Sequence, residues 1–407
     1  MKYVLILGDG MADNPVPELS GMTPLMKARK PSIDHIARYG RTGRFITIEP
    51  DMPTGSAVAN LSVLGYDPRK VFHGRGVLEA ASLGIDLSQT DMAMRANLIC
   101  VKNGKIKSHS AGHITDDEAQ LLIDDLSKCF SRMGVSLYQG LSYRHLLVIP
   151  DGNPALECAP PHDHLDEQTD GLMVRPLTED AADTARLINK LIQESAVILK
   201  SHPVNKKRKA DGKDTADLIW PWSPGTRPDM PTFNERFGLK GAAISAVDLI
   251  KGLAVYSGFD VIPVDGATGL YDTNYEGKAS ACLDALRDHD LVFVHVEAAD
   301  EASHERNLEL KIRCIEDLDR RLVQPVLNGL KDLSSETVVA VLPDHATPVA
   351  CGAHTRDPVP FAIMDPRENP DTVDRFDEKS VMDGSLGILK GSEFIETFIG
   401  RNSSRPG

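Results

Sequence analysis

Asp300 and His304 stand four residues apart in Ala298–His304 (AADEASH). On a helical turn that spacing sends both side chains off one face, where they can grip one ion. An ordinary exposed Asp/His pair is the plain alternative. Asp9 directly follows an apolar run in Gly8-Asp9-Gly10; it is placed for a metal, or it caps the next turn. Asp344-His345 follows the run Thr337–Leu342, and adjacent side chains there are expected to diverge and serve two neighbouring ions. His354, nine residues later, can be returned by its loop over the same strand ends; taken singly it is an exposed loop residue. Three Asp and three His at the ends of three apolar runs favour a two-metal site, and oxygen and imidazole donors without thiolate suit Mn²⁺ or Zn²⁺ more than Ca²⁺. His295 and Glu297 alternate on a strand and read as structural or supporting groups. Ser56, in Pro53–Leu61 (PTGSAVANL), alone would be a helix cap. Beside two divalent ions its hydroxyl pKa falls, as that of bound water does from ~15.7 towards ~7, and the oxygen can then accept a phosphoryl group.

Elements must bring these residues together. The unbroken apolar run of Lys2–Leu7 reads as a strand buried on both faces, the signature of a parallel sheet, and it returns at Asp290–Val296 and Thr337–Leu342. Ser280–Asp288 and Leu308–Leu330 carry helical periodicity, Gly241–Ser257 reads as a helix, and Val261–Val264 as a short strand before the turn Asp265–Gly269. The middle differs: alternation at Leu146–Ile149, a long helical stretch at Thr178–Leu199, and a Pro-, Lys- and Arg-rich loop around His202–Lys213. These features predict an α/β fold whose mostly parallel central sheet is flanked by helices, plus an inserted α+β domain. The metal-binding domain is discontinuous, 1–75 and 235–407, and the insertion, 76–234, holds or covers substrate. The tail Asn402–Gly407 reads as frayed.

Composition narrows the partners. With 407 residues, 41% apolar and 26% charged, the chain has the make-up of a folded globular protein of more than one domain. Its formal net charge of −14 repels phosphate backbones, so nucleic acid is not an expected partner. The basic run Lys206–Lys209 (KKRK) invites a nuclear-localisation or nucleic-acid reading, and a solvated loop on an acidic protein, at most bordering the substrate cavity, is preferred. Apolar runs are strand-sized, far below the ~18 residues that span a bilayer. Met1–Gly10 lacks the features of a signal peptide, and six scattered cysteines without a C-x-x-C pair suit free thiols in a reducing cytoplasm. The oligomeric state stays open.

Met1–Asp13 (MKYVLILGDGMAD), Pro53–Pro68 (PTGSAVANLSVLGYDP), Gly266–Lys278 (GATGLYDTNYEGK), His295–His304 (HVEAADEASH), Leu342–His345 (LPDH) and Ala353–Pro360 (AHTRDPVP) resemble the cofactor-independent phosphoglycerate mutases of archaeal type, in the alkaline phosphatase superfamily. Ser110–Ile114 (SAGHI), Ser142–His145 (SYRH), Pro160–Asp163 (PPHD) and His202–Asn205 (HPVN) extend the likeness over essentially the whole chain. The resemblance implies an alkaline-phosphatase-like core with two divalent cations, Mn²⁺ first among Zn²⁺, Mg²⁺ and Co²⁺. Asp300, His304 and His354 match the ligands of one, and Asp9, Asp344, His345 and Ser56 those of the other. Ser56 matches the serine phosphorylated while 3-phosphoglycerate and 2-phosphoglycerate interconvert in glycolysis without bisphosphoglycerate. Lys278 and Arg144 are candidates for catalysis, and Arg95, His145, His162 and Asp163 for holding a small phosphorylated hydroxy acid. The turn reads Gly55-Ser56-Ala57 where many members carry Asp after the serine, which leaves every matched ligand in place. A sister branch proposed as homoserine kinases has similar motifs, and Leu218–Gly225 (LIWPWSPG) is closer to that branch. A non-catalytic binding protein with structural metals is the remote alternative.

Overall fold

The computed structural model describes residues 1–72 and 74–401, so the expectation of a frayed tail at Asn402–Gly407 lies outside the described residues. The chain divides into two units, one formed by Met1–Phe72 with Met230–Gly407, the other by His73–Asp229.

The first unit is built on an eight-stranded sheet in the order Asp260–Val261, Gly241–Ile244, Leu291–Val296, Lys2–Gly8, Thr337–Leu342, Val359–Met364, Arg41–Ile46, Gly387–Lys390. Every neighbouring pair is parallel except the two that involve Val359–Met364. The three central strands are all but completely buried. Their side chains meet apolar neighbours on both faces, which is why they read as unbroken apolar runs rather than as alternation. Helices Pro31–Arg38, Tyr275–Ala285 and Leu308–Leu318 add their apolar stripes to the same core.

The second unit carries an antiparallel sheet in which Met92–Lys102 pairs with Lys105–Ser108, Arg144–Ile149 and Leu218–Thr226, and Ser136–Tyr138 continues it beyond Arg144–Ile149. Helices Asp116–Ser131 and Ala182–Ser201 share a core with these strands. The architecture is thus α/β with a mostly parallel central sheet, together with an α+β unit.

Three local readings need correction. Gly241–Ser257 is not one helix: Gly241–Ile244 is a buried strand and the helix runs over Asp248–Tyr256. A four-residue apolar run has no periodicity to separate strand from helix, and pairing with Leu291–Val296 decides it. The neighbouring strand is shorter than expected, Asp260–Val261. The basic segment after His202 is also not a loop. Pro203–Ala210 is a helix with Pro at its first position, and the His202 side chain accepts from the Val204 amide as its cap. Arg208 turns inward, donating to the carbonyls of Asp214 and Ala111 and pairing with Glu118. Among the described residues no helix is long and apolar enough to cross a membrane.

One ion pair braces the loops at the carboxyl edge of the large sheet. Lys311, on helix Leu308–Leu318 and fully buried, donates to Asp13 Oδ2 at 2.8 Å and to the carbonyls of Ala12 and Thr347 at 3.1 and 2.9 Å. Lys311→Met strips the charge from this junction and leaves the buried Asp13 carboxylate without its cation. The variant should lose about 3–5 kcal/mol of stability, the usual result of breaking a buried pair from one side. Urea unfolding against the parent chain measures it, and a loss much under 1 kcal/mol would show that Lys311 does not brace the loops.

Candidate metal and serine centre

Lys2–Gly8 lies between Leu291–Val296 and Thr337–Leu342, with Leu7 opposite both His295 and Leu342. The carboxyl ends of the three strands are therefore level, and Asp9, Glu297 and Asp344 leave the sheet along one edge. That edge is where ligands sit in open parallel sheets. Gly10 makes the turn after Asp9 with φ 63°, and a Cβ on it would stand 2.7 Å from the Asp300 Cα. Only glycine allows this approach.

Asp300 and His304 lie on helix Ala298–His304, with His304 Nε2 2.9 Å from Asp300 Oδ2. His354 is brought in by the loop beyond Thr337–Leu342; its Nε2 is 3.5 Å from the same oxygen and 3.0 Å from His304 Nε2. His304 Nδ1 faces the Gly352 carbonyl at 2.9 Å. A carbonyl only accepts, so in the neutral ring Nδ1 carries the proton and Nε2 points a lone pair at Asp300 and His354.

Beside this group stands a second. His345 Nε2 is 3.6 Å from Asp9 Oδ1 and 3.4 Å from Asp344 Oδ2. Asp344 Oδ1 accepts from the Gly10 and His345 amides at 3.3 and 2.9 Å. The expectation that Asp344 and His345 diverge towards two ions is corrected: the chain has left the strand, Asp344 folds back onto its neighbour's amide, and the two side chains converge. Ser56 opens helix Ser56–Val63, but Gly55 holds the cap position and the serine side chain makes no capping bond. Its Oγ instead lies 3.2 Å from His345 Nε2.

Two residues that the sequence reading passed over tie the groups together. Asn60, one helical turn beyond Ser56, donates through Nδ2 to the Ser56 carbonyl at 2.9 Å and to Asp344 Oδ2 at 3.0 Å. Thr347 Oγ1 donates to Asp300 Oδ1 at 2.5 Å. With its one proton so committed, it can only accept from His345 Nδ1, 3.1 Å away. The His345 Nε2 lone pair therefore faces Ser56, Asp9 and Asp344. Asn60 was legible as a lone amide within a buried apolar helix, and Thr347 by asking what holds the His345 tautomer.

The edge carries more negative charge than its protein partners balance. Burial, reinforced by Asp344, Glu297 and Asp300, pushes the Asp9 carboxyl well up. Burial and then Asp300 push Glu297 up to about 8. Burial also works against an ionised Asp300, but hydrogen bonds from His304 and His354 hold it well below the usual carboxylate range, and Asp300 in return raises His304 to about 9. Among the described residues, the buried atoms Asp9 Oδ1 and Glu297 Oε2 have no hydrogen-bond partner. Orphaned carboxylate oxygens, like charges and inward imidazole lone pairs fit divalent cations. Ligand atoms lie within 4.8 Å of one another in three sets: Asp300, His304 and His354; Asp9, Asp344 and His345; and Asp9, His295 and Glu297. His295 and Glu297, expected as supporting groups, thus belong to a donor cluster. His295 Nε2 is 3.0 Å from Asp9 Oδ2, and its Nδ1 meets Ser245 Oγ at 3.3 Å.

Lys278 is buried and donates to the His295 carbonyl at 2.8 Å; burial, partly opposed by Glu297, brings its amine down to about 8. In the second unit Arg95 pairs with Glu79 and lies over the Trp222 ring, 5.1 Å from its centroid. His162 meets the same ring edge-on at 5.2 Å, with Asp163 Oδ1 3.7 Å from its Nε2. Arg144 lies over Tyr143, and His109 bridges Tyr143 and His162. His145 follows Arg144 on strand Arg144–Ile149 and pairs with Ala96, the neighbour of Arg95. It is buried, burial lowers it to about 3, and its Nδ1 accepts from the Gly140 amide. Ala57 is buried in the helix that Ser56 opens.

Comparison with known proteins places these features in a lineage. A family model described as 2,3-bisphosphoglycerate-independent phosphoglycerate mutase matches residues 37–205. A protein of that name from Methanosarcina acetivorans is 49% identical over 397 residues, 97% of this chain and 98% of that one. Another, from Methanothermobacter thermautotrophicus, is 45% identical over 97% of this chain and 96% of its own. Among solved structures, PH0037 protein from Pyrococcus horikoshii superposes with a TM-score of 0.84 at 31% identity, covering 100% of this chain and 99% of that one. A cofactor-independent phosphoglycerate mutase from Thermoplasma acidophilum superposes with a TM-score of 0.70 at 30% identity, covering 98% and 99%.

Two outcomes follow from the site electrostatics. Thr347→Val removes the acceptor that fixes the His345 tautomer and should weaken Mn²⁺ binding about 10–100-fold, the usual scale for an outer-shell partner, while Thr347→Ser keeps it. Equilibrium dialysis reads this, and equal affinity for the two variants would show that the relay does not orient His345. In chelator-treated protein, Glu297 at about 8 and His304 at about 9 both bind protons more tightly than in the unfolded chain. Their stabilisation is complete below their unfolded pKa values and lost as pH rises through the folded ones. Melting temperature without metal should therefore fall between pH 6 and 8, below the range where Lys278, brought down to about 8, acts in the opposite sense, and added Mn²⁺ should flatten the slope. A metal-free melting temperature that holds or rises over this range would refute the charge excess.

Proposed function

The chain belongs to the 2,3-bisphosphoglycerate-independent phosphoglycerate mutase family, and from that premise we propose that it interconverts 3-phosphoglycerate and 2-phosphoglycerate through a phosphorylated Ser56. The observation that carries this reading is the Ser56 hydroxyl itself: released from capping, it stands 3.2 Å from His345 Nε2 beside Asp9 and Asp344. Asp300, His304 and His354 are assigned to one divalent cation, and Asp9, Asp344, His345 and the Ser56 oxygen to another, with Mn²⁺ preferred. Bound there, the pair of cations supplies neutralising charge for the phosphoryl oxygens and a lowered pKa for the serine hydroxyl.

Ser56 Oγ, deprotonated before the substrate reacts, forms a bond to phosphorus as the bond from phosphorus to the 3-oxygen of the substrate breaks, and that oxygen takes up a proton. Lys278 Nζ, brought down to about 8, is assigned to deliver it, since an amine with that pKa gives up and regains a proton near neutral pH. Glycerate then turns, its 2-hydroxyl returns the proton and attacks phosphorus, and Ser56 is released. Net hydrolysis is avoided only if water is kept from the phosphoserine between the two transfers. The part of the acid that does not react is assigned to Arg95, Arg144, His162 and Asp163 of the unit 73–229, which we read as the substrate-holding unit. His145, buried and neutral, supports the sheet beneath them. A cytoplasmic setting accords with this glycolytic reaction.

Ser56→Ala should abolish turnover and the acid-stable phosphoprotein formed from 3-phosphoglycerate, while folding and Mn²⁺ binding by Asp300, His304 and His354 remain. An enolase-coupled assay without bisphosphoglycerate reads the first, and phosphopeptide mapping the second. Undiminished turnover would eliminate the nucleophile. Phosphoryl transfer to homoserine with no mutase activity would replace the substrate assignment by that of the sister branch.

A further inference from the structure

The basic segment that the mutase reading leaves unused shapes the rim of a cavity of about 920 Å³ lying wholly within the unit 73–229. Lys206 and Lys209 stand three apart on helix Pro203–Ala210, with Lys213 just past its end. Lys200 comes from the last turn of Ala182–Ser201, Lys102 ends strand Met92–Lys102, and Lys107 lies within the paired strand Lys105–Ser108. Lys107 pairs with Asp214. The other five lysines have no carboxylate partner among the described residues. A helix C-terminus favours basic side chains through its dipole, which accounts for Lys200 and Lys209 but not for Lys102, Lys107, Lys206 and Lys213 on the same depression. Like charges so gathered repel, in a chain whose net charge is −14, and a bound polyanion would relieve them.

The floor has a different chemistry. Val101, Ala196 and Leu218 supply apolar surface over the buried Leu199 and Cys100, and burial pushes the Cys100 thiol up to about 11, so it is neutral. Polar groups there are already engaged. Asn205 donates to the Leu199 and Ala216 carbonyls and accepts from the Ala216 amide. Asp217 accepts from the Val101 amide and Thr215, and Thr169 donates to the Gly104 carbonyl. An apolar floor with satisfied polar groups beneath a cationic rim calls for a ligand with a flat ring at one end and several negative charges at the other. The volume falls within the about 300–1,000 Å³ of small-molecule sites. We propose that this cavity is a nucleoside polyphosphate site, with the base against the floor and the phosphates on the lysines.

The full chain, loaded with Mn²⁺ and saturated with 3-phosphoglycerate to occupy the catalytic centre, is titrated calorimetrically with ATP and separately with inorganic tripolyphosphate. One equivalent of ATP should bind, and tripolyphosphate should bind about tenfold more weakly for want of the base contacts, a difference of about 1.4 kcal/mol. Lys206→Gln/Lys209→Gln/Lys213→Gln should weaken ATP about tenfold or more and lower the salt dependence of binding, with mutase activity in the absence of nucleotide unchanged. No binding, equal affinity for tripolyphosphate, an unaltered triple variant, or displacement of ATP by a single-stranded oligonucleotide at lower concentration would each overturn the proposal. Because the readout is binding under saturating phosphoglycerate, its failure leaves the mutase assay untouched, and failure of the mutase assay leaves the cavity to be tested with nucleotide alone.

Discussion

Four carboxylates, those of Asp9, Glu297, Asp300 and Asp344, share one buried edge of a sheet whose central strands end level. In a medium of low dielectric such a gathering is tenable only with compensating charge, since each unpaired ion keeps a desolvation penalty of several kcal/mol. The rest of the first unit is arranged around that demand. Gly10 is bare because Asp300 lies against it. Lys311 places a buried ammonium on Asp13 and on the carbonyls of the loops carrying Asp9 and Asp344. Asn60 gives its amide to Asp344 while the same helix fixes Ser56. The imbalance that remains after these contacts is the physical argument for divalent cations, and it does not depend on likeness to other proteins.

The two donor groups are not independent. His345 Nδ1, Thr347 Oγ1 and Asp300 Oδ1 form a chain of hydrogen bonds with one consistent set of proton positions. It runs from the group beside Ser56 to the group of His304 and His354. The imidazole rings of His345 and His354 also stack, with centroids 3.9 Å apart. Fixing the tautomer of one histidine thereby helps to orient the ligands of the other group, the kind of support that holds metal ligands in productive positions. A serine placed at this junction receives the electrostatic influence of both groups, as phosphoryl transfer through a covalent intermediate requires.

Charge is also separated along the chain. The acidic edge belongs to the first unit, while the basic rim of Lys102, Lys200, Lys206, Lys209 and Lys213 belongs to the second. Each unit carries a local field opposite in sign to the ligand it would take: carboxylates for cations, lysines for phosphates. Net charge alone describes neither, because a formal −14 averages over both.

Much of the centre is legible in the amino-acid sequence. The apolar runs at Lys2–Leu7, Asp290–Val296 and Thr337–Leu342 announce buried parallel strands, and acidic groups and histidines directly after them mark the strand ends where such sheets bind ligands. Local chemistry suffices there, since burial on both faces leaves an unbroken signal and i,i+4 spacing fixes Asp300 and His304 to one face. It did not suffice for Gly241–Ile244, too short to show a period, nor for Pro203–Ala210, whose charges disguised a helix capped by His202. What the amino-acid sequence determined alone was the donor types, their attachment to strand ends and the serine among them. Tertiary structure alone decided that Asp344 and His345 converge, that Thr347 and Asn60 join the site, and that scattered lysines line one cavity. The reason is that those relations depend on hydrogen-bond partners and backbone turns far apart in sequence, and no local periodicity encodes them.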